Sequence, residues 1–290
     1  MSGPREEDRS LPSDGLIEGI IFDIDGTIAR GRQVLPGALE TLDELRTRRI
    51  RFAFFTNDNS NPIRYWVERL GGMGIEAAPD EIVTSALVAA EVMAELHPQS
   101  PILAIGDVGL LEALRAKDLD LVGFDEADRA VAVVMGRDPG FDQQRLETVC
   151  KAIWNGTEFF ATNYDPKLPV SDGFVPGTGA MVKAVAYATG CEPVVTGKPS
   201  PWSGRMAMRI LGVAPERGMV VGDQIATDIA MGRNAGMATV LVLTGTAEAR
   251  DVEATPRGQR PDGVIDGIGD LIPWLDNRTE GVPVQTGEGS

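Results

Sequence analysis

Four short polar motifs, each following an apolar run, contain the residues of this sequence whose types and spacing suit catalysis or ligand binding. Carboxylate oxygens bind hard divalent cations, and hydroxyl, amide and ammonium groups donate hydrogen bonds to phosphate oxygens. This combination of groups points to metal-assisted chemistry on a phosphate. The four motifs are Asp23-Ile24-Asp25-Gly26-Thr27, Thr56-Asn57-Asp58-Asn59-Ser60, Gly197-Lys198-Pro199, and Gly222-Asp223 with Thr227-Asp228 beyond it.

The apolar runs predict strands, and helix-period segments lie between most of them. This alternation is typical of an α/β fold with a mainly parallel sheet. A helix is predicted over residues 35–48 with Pro36 in its first turn, and a later helix ends near Ala235 because Gly236 suits the position after a helix. Strands are predicted at residues 16–22, 50–55, 102–105, 130–135, 159–161, 193–196, 219–221 and 239–243.

Ligands of open α/β sheets bind at the carboxyl ends of the strands, so motifs that are distant in sequence can meet in one crevice. There Asp23, Asp25, Asp223 and Asp228 would repel one another, by about 4 kcal/mol for a pair about 4 Å apart. A hard divalent cation removes this repulsion, and Mg²⁺ is commonly held by one or two carboxylates plus a substrate phosphate. The sequence therefore predicts Mg²⁺ as a cofactor.

Each chemical role in such a crevice has a candidate residue. Asp23 is the predicted nucleophile, which accepts the phosphoryl group as an aspartyl-phosphate. Asp25 is the predicted acid and base, which protonates the leaving alcohol and later takes a proton from water. Thr56, the main-chain amide of Asn57 and the ammonium group of Lys198 are the predicted donors to the phosphate oxygens.

Each motif also has a simpler explanation when it is taken alone. The segment 23–27 can be an ordinary turn after a strand, and the segment 56–60 can be a polar loop that caps a helix. Lys198 can be a solvated surface lysine, and Asp228 an acidic residue in the first turn of a helix. The presence of all four motifs at predicted strand ends favours the functional interpretation.

The four motifs, in this order, closely resemble those of the haloacid dehalogenase-like phosphatases. Further segments narrow the resemblance to the branch that contains the NagD-type nucleotide phosphatases, the 4-nitrophenylphosphatases, and the pyridoxal and phosphoglycolate phosphatases. The likeness covers nearly all of residues 16–275. The segments that narrow it are Ala161-Thr162-Asn163-Tyr164-Asp165-Pro166, Pro176-Gly177-Thr178-Gly179-Ala180, Thr189-Gly190 and Gly197-Lys198-Pro199-Ser200-Pro201-Trp202.

The resemblance implies a Rossmann-like core formed by residues 15–86 and 193–276, with an inserted α/β cap at 87–192. Residues 1–14 and 277–290 are expected to be mobile tails. The cap offers a surface for a homodimer, although the sequence leaves the oligomeric state open.

The resemblance also implies a ligand set for the metal and for the phosphate. It places Mg²⁺ on the side chain of Asp23, the main-chain carbonyl of Asp25 and the side chain of Asp223, with Asp228 in support. It places Thr56, Asn57 and Lys198 on the phosphate.

Two features depart from the family pattern. Asp58 stands where members commonly carry a second Asn, and a carboxylate beside an anionic substrate is unfavourable unless it points away or pairs with an arginine. Lys167 and Leu168 lie in a segment that the resemblance places over the active site, where they are candidates for substrate specificity. Leu168 forms no hydrogen bonds through its side chain, which argues against a polar ring substrate such as pyridoxal phosphate.

The composition argues against several classes of partner and mechanism. A formal charge of −16 repels nucleic acids and anionic membranes, and no apolar run reaches the roughly 18 residues of a membrane span. Cys150 and Cys191 lack metal or redox spacing and are predicted to be buried free thiols, which suits the cytoplasm. The single histidine, His97, precedes Pro98 at a predicted helix end, which disfavours a histidine base.

The sequence thus predicts a Mg²⁺-dependent phosphatase acting on a small phosphorylated metabolite, such as a nucleotide, sugar, glycolate, glycerol or 4-nitrophenyl phosphate. Two alternatives stay open. A mutase would return the phosphoryl group to a sugar, and a receiver-type signalling module would accept a phosphoryl group without turnover. The inserted segment and Asp25 argue against a receiver module, which is a single small domain.

Overall fold

The computed structural model describes residues 16–170 and 173–279, in which strands and helices alternate along most of the chain. The strands are β1 (Gly19–Phe22), β2 (Ala29–Arg30), β3 (Gln33–Val34), β4 (Arg51–Thr56), β5 (Ile82–Thr84), β6 (Pro101–Ile105), β7 (Asp120–Val122), β8 (Ala132–Met135), β9 (Glu158–Ala161), β10 (Lys167–Val170), β11 (Gly173–Pro176), β12 (Val194–Val195), β13 (Gly218–Gly222), β14 (Ala238–Val242) and β15 (Gly263–Ile265).

The described part of the chain has no helix that is both long and apolar enough to cross a membrane. The α-helices are α1 (Ala38–Thr47), α2 (Ile63–Gly71), α3 (Ser85–Leu96), α4 (Val108–Arg115), α5 (Gln143–Trp154), α6 (Thr178–Thr189), α7 (Pro201–Leu211), α8 (Ala230–Ala235), α9 (Ala249–Ala254) and α10 (Leu271–Thr279).

The described residues form two compact units, one made of residues 16–53 and 208–279 and the other of residues 54–170 and 173–207. Their boundaries fall inside β4 and inside α7. The predicted core and cap have different boundaries, at 87 and 192, and that division stays a prediction. Of the expected tails, residues 1–14 and 280–290 lie outside the described residues, whereas 277–279 belong to α10.

The first unit contains parallel strands in the order β15-β14-β13-β1, followed by β4. In this sheet Phe22 of β1 lies opposite Val221 of β13, and Val221 lies opposite Val240 of β14. Every residue of β1, β13 and β14 is buried. Continuous apolar runs are expected for parallel strands that are covered on both faces, which explains why these strands were visible in the sequence.

Helix α1 begins at Ala38, so the prediction that the helix starts at residue 35 with Pro36 in its first turn is wrong. Gly37 adopts a left-handed conformation with φ of 80°, which is not helical. A Cβ atom at this position would lie 2.5 Å from the Cα atom of Gly269, so the close backbone approach also requires glycine. The predicted helix end near Ala235 is confirmed, because α8 ends at Ala235 and Gly236 follows with φ of 78°.

The second unit contains a five-stranded parallel sheet in the order β12-β9-β8-β6-β7. Ile105 lies opposite Met135, which lies opposite Ala161, so β6, β8 and β9 end at the same edge. Helices α5 and α6 contribute apolar residues such as Val149 and Val182 to the core that includes this sheet. The fold is thus α/β with mainly parallel sheets, as predicted.

Several short elements were not predicted. They are the strands β5, β7 and β15, with three residues each, and the antiparallel pairs β2–β3 and β10–β11. Cys150 is buried, and burial raises the pKa of its thiol. Cys191 is free but exposed, so its predicted burial is wrong. His97 directly follows the last residue of α3, as predicted.

Candidate active site

Three carboxylates of the first unit lie close together. Asp23, Asp223 and Asp228 each offer an oxygen, and these oxygens lie within 4.8 Å of one another. The side chains are buried, with exposed fractions of 8% for Asp23 and 1% for each of the other two. Buried like charges at this spacing require a cation or protons to offset their repulsion.

The parallel pairing of β1 with β13 brings the first two carboxylates together. Asp23 follows β1 and donates its main-chain N–H to the carbonyl of Val221 at 2.9 Å, while Asp223 directly follows β13. Both residues therefore leave neighbouring strands at the same edge of the sheet. Asp228 comes from a single π-helical turn, Ile225–Ile229, and its Oδ2 accepts the N–H of Gln224 at 3.1 Å.

Glycines make room for these carboxylates. A Cβ atom on Gly26 would lie 2.7 Å from Oδ2 of Asp223, and a Cβ atom on Gly245 would overlap the same carboxylate. A Cβ atom on Gly222 would overlap the side chain of Asp228. Any other residue at these positions would displace a carboxylate, so the cluster requires glycine at all three positions.

A loop after β14 completes the surroundings of Asp223 and was missed in the sequence. The main-chain N–H of Thr246 donates to Oδ2 of Asp223 at 2.7 Å, and Oγ1 of Thr244 donates to the carbonyl of Gly26 at 2.6 Å. The signal that could have revealed this loop is Thr244-Gly245-Thr246, a polar segment after a buried apolar strand. It is the same kind of signal as the four motifs.

The carboxylate cluster fits a hard divalent cation. Its three donors are oxygens, one from the segment after β1 and two from the segment after β13, and carboxylate oxygens are the donors that Mg²⁺ prefers. The side chain of Asp25 is not part of this cluster, and its loop is held by the hydrogen bond from the N–H of Gly26 to the carbonyl of Ala29, at 2.8 Å. The predicted roles of Asp25 as a main-chain metal ligand and proton carrier stay predictions.

The other predicted site residues belong to the second unit, and Lys198 is the most deeply placed of them. It is only 4% exposed, so its alternative interpretation as a surface lysine is wrong. Its Nζ donates to the carbonyl of Phe55 at 2.9 Å and lies 5.4 Å from the centre of the Phe55 ring. A buried ammonium group with this fixed position suits recognition of an anion.

The side chain of Asn57 holds the main chain of Lys198. Its Oδ1 accepts the N–H of Lys198 at 3.0 Å, and its Nδ2 donates to the carbonyl of Lys198 at 3.3 Å. Nδ2 also lies 3.4 Å from Oδ2 of Asp165. The amide side chain is therefore occupied by contacts within the protein, which leaves the main-chain N–H as the group that Asn57 can offer to a phosphate.

Asp58, the departure from the family pattern, directs its carboxylate into its own loop. Oδ1 accepts the N–H of Ser60 at 3.1 Å, and Oδ2 accepts both the N–H and the Nδ2 group of Asn61, at 3.3 and 2.9 Å. The neighbouring Asn59 donates to Oγ1 of Thr178 and accepts the N–H of Arg137. The polar residues after Asn57 therefore stabilise the loop.

Lys167 and Leu168 lie on β10, which pairs with β11 in an antiparallel hairpin. Nζ of Lys167 lies 4.1 Å from the centre of the Phe174 ring, and Phe174 itself is 64% exposed. An exposed aromatic ring beside an ammonium group can contact both apolar and anionic parts of a ligand. Phe174 was missed in the sequence because the strand that carries it is short.

The sequence of this chain is similar to those of known hydrolases. The sequence matches the haloacid dehalogenase-like hydrolase family over residues 20–120 and a HAD-hydrolase-like family over residues 195–271. The acid sugar phosphatase of Staphylococcus epidermidis is 34% identical over 82% of this chain and 90% of its own length. The 5'-nucleotidase YutF of Bacillus subtilis is 31% identical over 89% of this chain and 98% of its own length.

Solved structures of similar proteins share the fold. The 4-nitrophenylphosphatase of Thermotoga maritima superposes with a TM-score of 0.82 at 32% identity, covering 93% of this chain and 99% of that one. A glycerol phosphate phosphatase of Mycobacterium tuberculosis, in complex with magnesium, superposes with a TM-score of 0.82 at 34% identity. The match covers 88% of this chain and 77% of that one. NagD of Escherichia coli superposes with a TM-score of 0.81 at 26% identity, covering 88% of this chain and 98% of that one.

The fold, the strand-end carboxylates and these relatives define the class: the chain belongs to the haloacid dehalogenase-like hydrolases. Within that family it falls in the NagD-like branch, as its motifs indicated.

Proposed function

We propose that this protein is a Mg²⁺-dependent phosphatase that hydrolyses small-molecule phosphate monoesters. The observation that carries the proposal is the cluster of Asp23, Asp223 and Asp228, buried and within 4.8 Å of one another in a hydrolase of this family. The named phosphatases and nucleotidase among its relatives support the reaction class, and the magnesium complex of one relative supports the metal.

The mechanism that we propose starts at Asp23. Its carboxylate attacks the phosphorus atom, the bond to the leaving oxygen breaks, and an aspartyl-phosphate forms. Asp25 gives a proton to the leaving alcohol and then takes one from the water that hydrolyses the aspartyl-phosphate. Mg²⁺, held by Asp23, the main-chain carbonyl of Asp25 and Asp223, with Asp228 in support, would offset the negative charge of the phosphate and of the attacking carboxylate.

The phosphate oxygens bind to donors from the second unit in this proposal. Lys198 supplies an ammonium group, Thr56 a hydroxyl group and Asn57 its main-chain N–H. Support for Lys198 comes from its burial and from the contacts of Asn57, which hold its main chain in place. A charge placed in this way needs no rearrangement when the phosphoryl group transfers.

The substrate in this proposal is a small soluble phosphomonoester. The relatives are named for sugar phosphates, nucleotides, glycerol phosphate and 4-nitrophenyl phosphate, which share the monoester but differ in the leaving group. Lys167, Leu168 and the exposed Phe174 are the candidates for contacts to that group. We further propose a cytoplasmic location, in which the free thiols of Cys150 and Cys191 would stay reduced.

The test is release of inorganic phosphate from a panel of nucleotides, sugar phosphates, phosphoglycolate, glycerol phosphate, 4-nitrophenyl phosphate and pyridoxal phosphate, with and without Mg²⁺. We expect multiple turnovers that require Mg²⁺ and are abolished by Asp23→Asn. The surface variant Asp43→Asn is the matched control, since Asp43 is exposed and is paired only with Arg46 in the described chain.

Three results would overturn the proposal. Phosphorylation of the protein without turnover would favour a signalling module, and transfer to a sugar without phosphate release would favour a mutase. Wild-type turnover in Asp23→Asn would show that Asp23 is not the nucleophile.

Calorimetric titration with Mg²⁺ gives an independent measurement. Asp223→Asn is expected to weaken Mg²⁺ binding whatever the substrate is.

A further inference from the structure

The main-chain carbonyl of Asn57 accepts two short hydrogen bonds from buried side chains. Oγ of Ser85 donates to it at 2.6 Å, and Nδ2 of Asn163 donates to it at 2.6 Å. Ser85 is fully buried at the start of α3, and Asn163 is 2% exposed in the segment after β9. Two separate elements of the second unit therefore converge on one peptide group.

The orientation of the Asn163 amide is determined by a second contact. The main-chain N–H of Asp165 donates to Oδ1 of Asn163 at 3.2 Å. Because an N–H group can bond only to the oxygen of the amide, Nδ2 must be the atom that faces Asn57. The contact with Asp165 thus establishes Asn163 as the donor to the Asn57 carbonyl.

The peptide group that receives these bonds connects directly to Thr56. It joins the carbonyl of Asn57 to the N–H of Asp58, and that N–H donates to Oγ1 of Thr56 at 3.1 Å. Donors on the carbonyl side of a peptide polarise it and strengthen the hydrogen bond made by its N–H. With one lone pair of Oγ1 occupied in this way, the hydroxyl proton of Thr56 points away from Asp58 and is free to be donated.

We propose that Ser85 and Asn163 are positioning residues that orient the hydroxyl group of Thr56 as a hydrogen-bond donor to the substrate phosphate. They act through the peptide group between Asn57 and Asp58 and do not touch the substrate. This inference rests on the proposed function, because it assigns a purpose to a network around a residue that binds phosphate in that proposal. It adds two residues that the motifs did not identify as part of the site.

The test is a double-mutant cycle between Ser85 and Thr56, measured as kcat and KM for the best substrate of the panel. Ser85→Ala is expected to lower kcat/KM about fivefold to tenfold, the size that loss of one hydrogen bond gives. In the background of Thr56→Val, which has no hydroxyl group, the same change is expected to alter kcat/KM less than about twofold. In Thr56→Ser, which keeps the hydroxyl, the full effect should return.

Asn163→Leu, made in the same three backgrounds, tests the second donor. Thr157→Ala is the control, because Oγ1 of Thr157 also donates to a main-chain carbonyl, that of Ala130, outside this network. Thermal unfolding of every variant separates loss of fold from loss of positioning. If Asn163→Leu does not fold, the double-mutant cycle between Ser85 and Thr56 still tests whether the network acts through the Thr56 hydroxyl.

The outcomes separate this inference from the proposed function. If the wild type releases no phosphate from any substrate, the proposed function fails. If the wild type is active and Thr56→Val is impaired, but Ser85→Ala has the same effect with and without the Thr56 hydroxyl, the inference alone fails. A Ser85→Ala variant with wild-type kcat/KM would overturn it as well.

Discussion

Asp223 accepts the main-chain N–H of Thr246 on its Oδ2 atom at 2.7 Å, across a glycine that has no side chain to obstruct the contact. A Cβ atom on that glycine, Gly245, would overlap the carboxylate. The loop after β14 and the acid after β13 therefore constrain each other. The position of one carboxylate in the cluster depends on a residue with no chemistry of its own.

Gly245→Ala is expected to displace Asp223, which is a Mg²⁺ ligand in our proposal, and to weaken Mg²⁺ binding about tenfold or more. A ligand that is moved by even part of an ångström no longer fits a compact metal site. Calorimetric titration with Mg²⁺ measures the effect. Gly71→Ala is the control, since a Cβ atom at Gly71 would meet nothing within 4 Å. Unchanged Mg²⁺ affinity in Gly245→Ala would show that the contact has no role in the metal site.

Lys198→Met is expected to lower kcat/KM about 100-fold, because it removes the ammonium group that our proposal assigns to the phosphate while keeping most of the buried side-chain volume. Steady-state kinetics and the inhibition constant of inorganic phosphate measure the loss. Lys151→Met is the matched control, as the Lys151 side chain is 70% exposed. A kcat/KM equal to that of the wild type would exclude Lys198 from phosphate binding.

Asp58→Asn is expected to leave KM within about twofold of the wild-type value and to lower the free energy of unfolding by about 1 kcal/mol. The reason is that the carboxylate accepts hydrogen bonds from its own loop, at Ser60 and Asn61, and an amide has only one oxygen to do so. Kinetics together with urea unfolding measure both quantities. A marked fall in KM would mean that the carboxylate faces the anionic substrate after all.

The pair of Arg48 and Asp276 is expected to make part of the stability depend on pH. The hydrogen bonds from Arg48 hold the pKa of the Asp276 carboxyl below its ordinary value of 3.8. A lowered pKa contributes stability above the unfolded value, and this contribution is lost as the pH falls through the folded value. The Tm of Asp276→Asn should therefore lie below that of the wild type at pH 7, and the difference should shrink below about pH 4.

The control for this measurement is Asp128→Asn, whose exposed carboxylate has no ion pair within the described chain. Its Tm is expected to follow the wild-type value across the same range. The pair of Arg48 and Asp276 is exposed to solvent, so the effect is expected to be small and to decrease at high salt. A constant difference in Tm from pH 7 to pH 3 would contradict the assignment.

The longer buried strands and the residues that follow them could be predicted from the sequence. Strands β1 and β13 are continuous apolar runs because both of their faces are covered, and such runs are visible without a structure. The short strands β5, β7 and β15 could not be predicted, because three residues show no clear period. The same limit hid the hairpin that carries Phe174.

By itself the sequence determined that Asp23 and Asp223 directly follow buried strands and that Lys198 lies shortly after another strand. Only the tertiary structure decided that the Asp25 side chain stays outside the carboxylate cluster, that Lys198 is buried, and that the Asn57 side chain bonds to the main chain of Lys198. The physical reason is that local periodicity records which faces of an element are apolar. Which atoms come into contact depends on strand order, register and glycine-sized gaps. These features bring together residues that are far apart in the sequence, such as Asp23 and Asp223, which are 200 positions apart.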